Sequence, residues 1–488
     1  MATYPSDFEH SASSLAEVQA LLTKFGADRA LIKLLPKNAN DKNQIYWASS
    51  FSSLYNNFNL TLADRGTSAS LTKDKSTPGT YIPEAVFESF DWVKRDHSRA
   101  KAKCVKVIVY TQYPEARLSG FLTVENTMPQ SLSVEYTKAN PESSRMLVLA
   151  RLPGGACLGF VFVGVDATLA AEVSNLPGLD GSKVCKVLDW DLGLSEKLFS
   201  RLATIVSRPM KGCRLDVHGN TLPFSGTQVC GYTLESALDI VPNSDKDGDV
   251  DGIELKTHTQ VKVTLFTPEP DFGLYAEPRG FEQFMRKYGY EKDGEDGVKE
   301  WRVTGVHKAG KRSSKSGLTL EVREYHVADA NNSKTDWVRN DDGGRTPFPY
   351  DPSTSLTSKL NAVEVVLIDD TGFVAAGWSL ERLMNNWGVK HNEVVYVSAT
   401  RTQNDDKDER AAGYEYKVTF APRVHWCRDT SAEKLLEAIK TGVIFLDPAP
   451  KLVPSNSSKN KRRAQWRVNN IASAVEKLYE RTEWRDLA

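Results

Sequence analysis

The first half of the chain is built from short apolar runs separated by Gly, Pro and Ser: 105-VKVIVY-110, 118-LSGFLTV-124, 146-MLVLARL-152 and 158-LGFVFVGV-165. Runs of this length, bounded by turn formers, predict strands, and their density predicts a β-barrel or sandwich. Helices are expected from Leu15 to Phe25 and from Ala167 to Val173, and the Pro- and Gly-containing 176-LPGLDGSKVC-185 reads as a linker. From Leu194 the periodicity changes. Helical spacing in 194-LSEKLFSRLATIVS-207 and 233-TLESALDI-240 gives way to strand-like 252-GIELKTH-258 and 261-VKVTLFT-267. A helix at 280-GFEQFMRKYG-289 follows, then a long hairpin with arms Trp301 to His307 and Leu318 to His326. Two polar stretches, 331–345 and 403–410, read as mobile surface, and no internal repeat is visible. Helices and strands in alternation predict an α/β fold for the second half. The expected organisation is a mostly-β domain over 1–180, a linker over 181–190 and an α/β domain over 191–488.

Composition narrows the class without naming a function. At 488 residues, 40% hydrophobic and 26% charged, the sequence is that of an ordinary globular protein with room for two or three domains. The N-terminal MATYPSDFEHSASS has no apolar core of the signal-peptide kind, and no run of about 18 apolar residues occurs, so a cytoplasmic protein is expected. The six cysteines are scattered without a C-x-x-C pair, which argues for reduced thiols rather than a zinc site. With a formal net charge of −1, any affinity for nucleic acid must come from local basic patches.

The informative stretch is 231-GYTLESALDIVPNSDKDGDVDGIELKTHTQVKVTLFTPEPD-271. Asp249, Glu254 and Lys256 form D-x4-E-x-K. Glu254 and Lys256 are two apart on a strand-like run, so both side chains point to one face. Asp249 precedes the run across a Gly-containing turn that allows it to fold back beside Glu254. Two carboxylates suit a hard cation that keeps some of its waters, which describes Mg²⁺. An ammonium beside such a cation orients an attacking water and offsets charge on a phosphorane. Glu235, on the preceding short helix, is placed to approach the same cation or a second one. Two plainer readings compete: a solvated acidic loop followed by an amphipathic strand, and an EF-hand. Asp247, Asp249, Asp251 and Gly252 match D-x-D-x-D-G, but the twelfth position is His258 instead of a bidentate Glu.

On G-x-T-L-E, Asn243, D-x-x-G-I-E-L-K and V-T-L-F-T-P-E-P-D, the chain resembles the MvaI/BcnI-type restriction endonucleases, relatives of the MutH mismatch-repair nickase within the PD-(D/E)XK nuclease fold. The resemblance extends through 442-GVIFLDPAPK-451, 461-KRRAQWRV-468 and 477-KLYE-480, over roughly 190–488. It implies metal ligands at Asp249 and Glu254, a catalytic lysine at Lys256 and a helix carboxylate at Glu235. Gly248 stands where the family often has Pro, which leaves the carboxylates unaffected. The implied activity is Mg²⁺-dependent cleavage of double-stranded DNA at a short CCWGG- or CCSGG-like site, leaving 5′-phosphate and 3′-hydroxyl ends. A monomer or weak dimer and a cognate methyltransferase in a bacterial host are implied as well.

Such an enzyme needs cations for DNA. The acid-free stretch 308-KAGKRSSKSG-317 offers Lys311 and Arg312 beside Lys308 and Lys315, and 455-SNSSKNKRRAQWR-467 offers Lys461, Arg462, Arg463 and Arg467 beside Lys459. His258 and His425 read as structural histidines. In the first half, 33-KLLPKNANDKNQIY-46 and 112-QYPEARLSGF-121 resemble the two DNA-gripping arms of the B3-like domain found in EcoRII- and UbaLAI-type restriction enzymes. That resemblance implies a B3-like pseudobarrel binding an effector or anchoring copy of DNA, one duplex per domain. Its contacts would come from Lys37, Asn38, Asn40, Lys42, Asn43 and Gln44 on the first arm and Tyr113, Glu115 and Arg117 on the second. Glu accepts from cytosine N4 and Arg donates to guanine O6 and N7. Two rivals remain open at this point: a MutH-like nicking enzyme, and a non-catalytic B3-type DNA-binding regulator.

Overall fold

In the computed structural model, the described residues are 3–36, 44–67, 81–110, 115–190, 192–241, 249–259, 262–294, 297–328, 335–337 and 346–487. The chain divides into two compact units. One comprises Met1–Leu194 with Thr354–Leu360, the other Ser195–Ser353 with Asn361–Ala488.

Two sheets make up the first unit. The larger runs in the order Cys185–Asp189, Arg29–Leu35, Arg145–Arg151, Cys157–Val163, Phe90–Val93, Arg99–Lys101, with Glu9–His10 parallel to Cys157–Val163. Its central strands are buried along nearly their whole length, which accounts for the continuous apolar runs in the sequence. The helices Leu15–Lys24 and Ala167–Asn175 place Val18, Leu22, Leu169 and Val173 in one core with Ile32, Val148 and Phe160. Both helices start on a side-chain cap: Ser14 accepts from the Glu17 amide and Asp166 from that of Leu169. The smaller sheet runs Ile45–Ala48, Glu115–Ser119, Lys106–Tyr110, Tyr81–Phe87, Leu60–Thr67. A late segment completes this unit. Thr357 is buried, and its hydroxyl accepts from the Phe51 amide at 3.0 Å.

Two expectations need correction here. The linker expected at 181–190 contains the strand Cys185–Asp189, paired antiparallel to Arg29–Leu35. Pro177 and Gly181 shape the turn before it rather than an open spacer, because Cys185, Val187 and Leu188 are buried. The strand expected at 118–124 is instead Glu115–Ser119. At Gly120 the backbone is left-handed (φ 83°) and an added Cβ would meet the Cys104 carbonyl at 2.1 Å, so the chain turns there.

The second unit is built on a mixed sheet in the order Met210–Lys211, Tyr416–Arg428, Glu393–Gln403, Glu254–His258, with Arg481–Asp486 also paired to Tyr416–Arg428. Glu254–His258 is an edge strand, parallel to Glu393–Gln403 with Glu254 opposite Val394. The helices Leu194–Ile205 and Val229–Ala237 cover one face, burying Leu198, Leu202 and Leu234 against Val395, Val397 and Leu255. On alternate positions Tyr396 points the other way, and its hydroxyl meets that of Tyr479 at 3.0 Å in the interior. The hairpin expected between Trp301 and His326 does not form. Lys299–Arg302 joins Tyr290–Asp293 and Lys451–Leu452, whereas Thr319–Glu324 joins Val363–Ile368. Within the intervening 303–318, His307 bonds through its main chain to Leu446, and only the Gly310 and Ser313 amides bond back to the region of Leu318–Leu320. The 331–334 and 338–345 parts of one expected loop lie outside the described residues, and the other contains the helix Lys407–Ala411. All six cysteines are free thiols, and among the described residues no helix is long and apolar enough to cross a membrane.

Candidate active site

Val250-Asp251-Gly252-Ile253 closes a two-residue hairpin, with the Ile253 amide donating to the Val250 carbonyl at 2.8 Å and the reverse bond at 3.1 Å. Asp251 and Gly252 both have positive φ, 49° and 83°, the pairing that a tight I′-type turn demands and that Asp-Gly supplies at low cost. The turn returns Asp249 alongside the start of the strand Glu254–His258. There its Oδ2 accepts from the Leu255 amide at 2.8 Å. Glu254 opens the strand and is 4% exposed. Lys256, two residues on, shares its face, and Lys256 Nζ donates to Glu254 Oε1 at 2.8 Å. The D-x4-E-x-K spacing thus becomes one cluster through a turn and a strand.

Burial and crowded charge together raise two of the cluster's carboxylates. Glu235, on the helix Val229–Ala237, is pushed up to about 7 by burial and then by the Asp249 and Glu254 carboxylates. Burial, followed by Glu254, also raises Asp249, against the pull of the Leu255 amide and of two lysines. One of those lysines was not singled out from the sequence. Lys390 Nζ lies 3.4 Å from Glu254 Oε2, an oxygen that is buried and accepts no hydrogen bond. Lys390 is carried by the short 3₁₀ turn Val389–His391 just before the neighbouring strand Glu393–Gln403. Only the parallel pairing of that strand with Glu254–His258 brings it near, and nothing in 389-VKHNEV-394 announces it. The next residue, His391, is buried and stacked on Trp387 at 4.2 Å; burial, with Lys256 and Lys390 nearby, keeps it neutral. Among the described residues, no three or more His, Cys, Asp or Glu converge into a ready-made metal cage.

The DNA-directed candidates are scattered. Lys37, Asn38, Asn40, Lys42, Asn43 and Tyr113 lie outside the described residues, as does Asn243. Gln44 accepts from the Tyr110 hydroxyl at 3.4 Å. Glu115 and Arg117 do share one face of their strand, joined at 2.6 Å, with the guanidinium 5.2 Å from the Tyr110 ring. In the second unit Lys311 is exposed, whereas Arg312 forms a two-point ion pair with Asp370 at 2.7 and 2.8 Å. The stretch around Arg312 carries no acid of its own; the partner arrives from a distant turn. Arg467 is likewise engaged, by Asp447 and the Thr264 hydroxyl at 2.9 Å each, as part of the sheet it sits in. Lys461, Arg462 and Arg463 are exposed, and Arg462 lies 4.8 Å over the Phe281 ring. Lys461, Arg463 and Lys459 line a groove of about 600 Å³ together with Lys292, Arg302 and Lys451. The latter three come from three separate strands, so no linear run betrays them. Buried Glu300 holds Arg302 at 2.8 Å and Lys292 at 3.5 Å in that groove.

The MvaI/BcnI restriction endonuclease family model matches residues 212–479, more than half of the chain and all of the carboxylate–lysine cluster. The chain belongs to the MvaI/BcnI restriction endonuclease family. Two solved structures of the restriction endonuclease MvaI are similar to it. One is a complex with cognate DNA substrate, at 15% identity over 62% of this chain and 100% of that one, with a TM-score of 0.39. The other, in the absence of DNA, has the same identity and coverage and a TM-score of 0.28. No curated protein matches. Membership of the MvaI/BcnI family makes the second unit that of a site-specific DNA nuclease, and residues 1–211 lie outside the matched span.

Proposed function

We propose that the chain is a Mg²⁺-dependent Type II restriction endonuclease that hydrolyses phosphodiester bonds of double-stranded DNA at Asp249, Glu254 and Lys256. The observation that carries this reading is the Asp251–Gly252 turn, which ties Asp249 to the main chain of Leu255 while Lys256 clasps the adjacent Glu254. The donor set fits a small hard cation. Its acceptors are carboxylate oxygens, one of them buried without a hydrogen bond; Glu235 and Asp249 are raised first by burial and then by neighbouring carboxylates, a repulsion that a divalent ion relieves. Asp249 and Glu254 would hold Mg²⁺, with Glu235 at its margin; the bound ion supplies Lewis acidity toward the scissile phosphate. Lys256, held in place by Glu254, orients the attacking water and offsets charge on the phosphorus. Lys390 offsets the remaining negative charge around Glu254 Oε2.

Exposed Lys311, Lys461, Arg462 and Arg463, with the groove beside them, suit phosphate and base-edge contacts. The first unit is read as a B3-like domain that binds a second copy of DNA as effector or anchor, with Glu115 and Arg117 facing base edges. The target would be CCWGG- or CCSGG-like, and a methyltransferase would protect the host's own copies. Digestion of supercoiled plasmid with Mg²⁺, followed by sequencing of the ends, tests the reading. Linear product with 5′-phosphate ends at fixed sites supports it, one-strand cutting replaces it by a nickase, and no cutting replaces it by a DNA-binding regulator.

A further inference from the structure

The first unit holds a half-open cavity of about 540 Å³ whose lining shares only Gln44 with the DNA-directed candidates. Its walls are mostly apolar, including Leu35, Ile45, Phe121 and Val134, but two cations line it: Lys33 and Arg145. They are 5% and 7% exposed. Lys33 is on the strand Arg29–Leu35 and Arg145 on Arg145–Arg151, with Leu147 opposite Lys33 and Arg145 opposite Leu35. They therefore sit diagonally on one face of the sheet, a neighbour relation of about 7–8 Å or somewhat less.

Neither cation has an acidic partner among the described residues. Lys33 Nζ donates to the Tyr46 carbonyl and lies 5.3 Å from the Tyr46 ring. The Arg145 guanidinium donates to the Ser131 and Pro36 carbonyls at 2.5 and 2.9 Å and to the Thr137 hydroxyl at 3.3 Å. Nearby Cys185 does not compensate them, since burial pushes its thiol up to about 11. Both cations are held below their usual range, chiefly by burial. Two adjacent buried like charges without a counter-charge are costly, and each retains N–H donors that these bonds leave unused.

We propose that this cavity is a binding site for a small organic phosphate monoester with an apolar or aromatic body. A phosphate monoester carries a charge of about −1.5 to −2 at neutral pH, which matches two cations where a carboxylate matches one. Its three acceptor oxygens meet the unused donors of Lys33 and Arg145, and the body packs on the walls around Phe121 and Ile45. The volume falls within the range of about 300–1,000 Å³ usual for small-ligand sites. The site is independent of the cleavage chemistry.

Titration of the full chain with phenyl phosphate, inorganic phosphate and benzyl alcohol, read by calorimetry, tests this. Saturable binding of phenyl phosphate is expected, at least about tenfold tighter than either part alone. Lys33→Met should weaken it by about tenfold or more and raise the melting temperature of the ligand-free chain, because a buried charge is removed. Val184→Trp, which narrows the cavity from its exposed rim and leaves both charges in place, should also weaken it, and decides the matter should the first variant not fold. Phenyl phosphate binding no tighter than inorganic phosphate, or binding unchanged by both substitutions, overturns the site. Displacement of phenyl phosphate by a short DNA duplex overturns it too, by making the cavity part of a DNA surface.

Discussion

Lys256 and Lys390 approach the two oxygens of a single buried carboxylate, at 2.8 and 3.4 Å, and do different things for it. Lys256 is hydrogen-bonded and mostly buried, so its ammonium has one position. Lys256→Ala is expected to lower the single-turnover cleavage rate by about 10²–10³, the scale of losing one preorganised charge-stabilising group. Lys256→Arg should not restore it, because a planar guanidinium cannot occupy the place of a compact ammonium. A fully active arginine variant would mean that the lysine only neutralises charge. Lys390 is more exposed and makes no hydrogen bond to Glu254, so Lys390→Met should cost far less, about tenfold or under on the scale of a partly screened charge. Equal losses at the two lysines, measured under the same conditions, would show that the geometry does not distinguish them.

Elements decide which residues the sequence could reveal. Asp249, Glu254 and Lys256 were legible because a local turn and one strand bring them together, and both obey short-range rules of spacing. Lys390, and Lys292 and Lys451 of the groove, were not, because they reach their neighbours only through pairing between separate strands. The same division runs through the fold. The helices at Leu15–Lys24 and Gly280–Tyr288 and the strands Arg145–Arg151 and Cys157–Val163 follow their apolar periodicity. The Trp301–His326 hairpin failed because long-range partners at Leu446, Leu452 and Val363–Ile368 outcompete the local pairing. The turn itself offers a test. Gly252→Val places a β-branched residue at φ 83°, which costs on the order of 1–2 kcal/mol. Cleavage should then fall although every carboxylate and lysine remains, and thermal unfolding should report only that modest destabilisation. Unchanged cleavage by a folded Gly252→Val protein would mean that the position of Asp249 does not depend on the turn.

The whole molecule adds features that neither scale contains. Unit one takes Thr354–Leu360 from deep in the second half of the sequence, a contribution no linear division at 180–190 anticipates. Thr357→Val removes the acceptor for the buried Phe51 amide and should destabilise the chain by about 1–3 kcal/mol in urea unfolding; no change would deny that segment a structural role. Stability should also depend on pH. Burial pushes His307 down to about 4, while an unfolded histidine titrates near ~6.5, so between these values the unfolded chain binds the extra proton. The contribution is complete above about 6.5 and declines as pH falls toward 4, by at most about 1.4 kcal/mol per pH unit for this group. His10 and His391, both lowered by burial, act in the same direction. Urea midpoints measured from pH 7 to 5 should fall less steeply in His307→Gln than in the parent. The most direct measurement concerns the cluster: cleavage of supercoiled plasmid and binding of the same DNA, in Mg²⁺ and in Ca²⁺, by the parent, Asp249→Ala and Glu254→Ala. The parent should cut both strands at fixed sites in Mg²⁺ and bind without cutting in Ca²⁺, while both variants bind but do not cut. Cutting by either variant at near the parent's rate, or no Mg²⁺-dependent cutting by the parent, would contradict the assignment of this cluster as the nuclease centre.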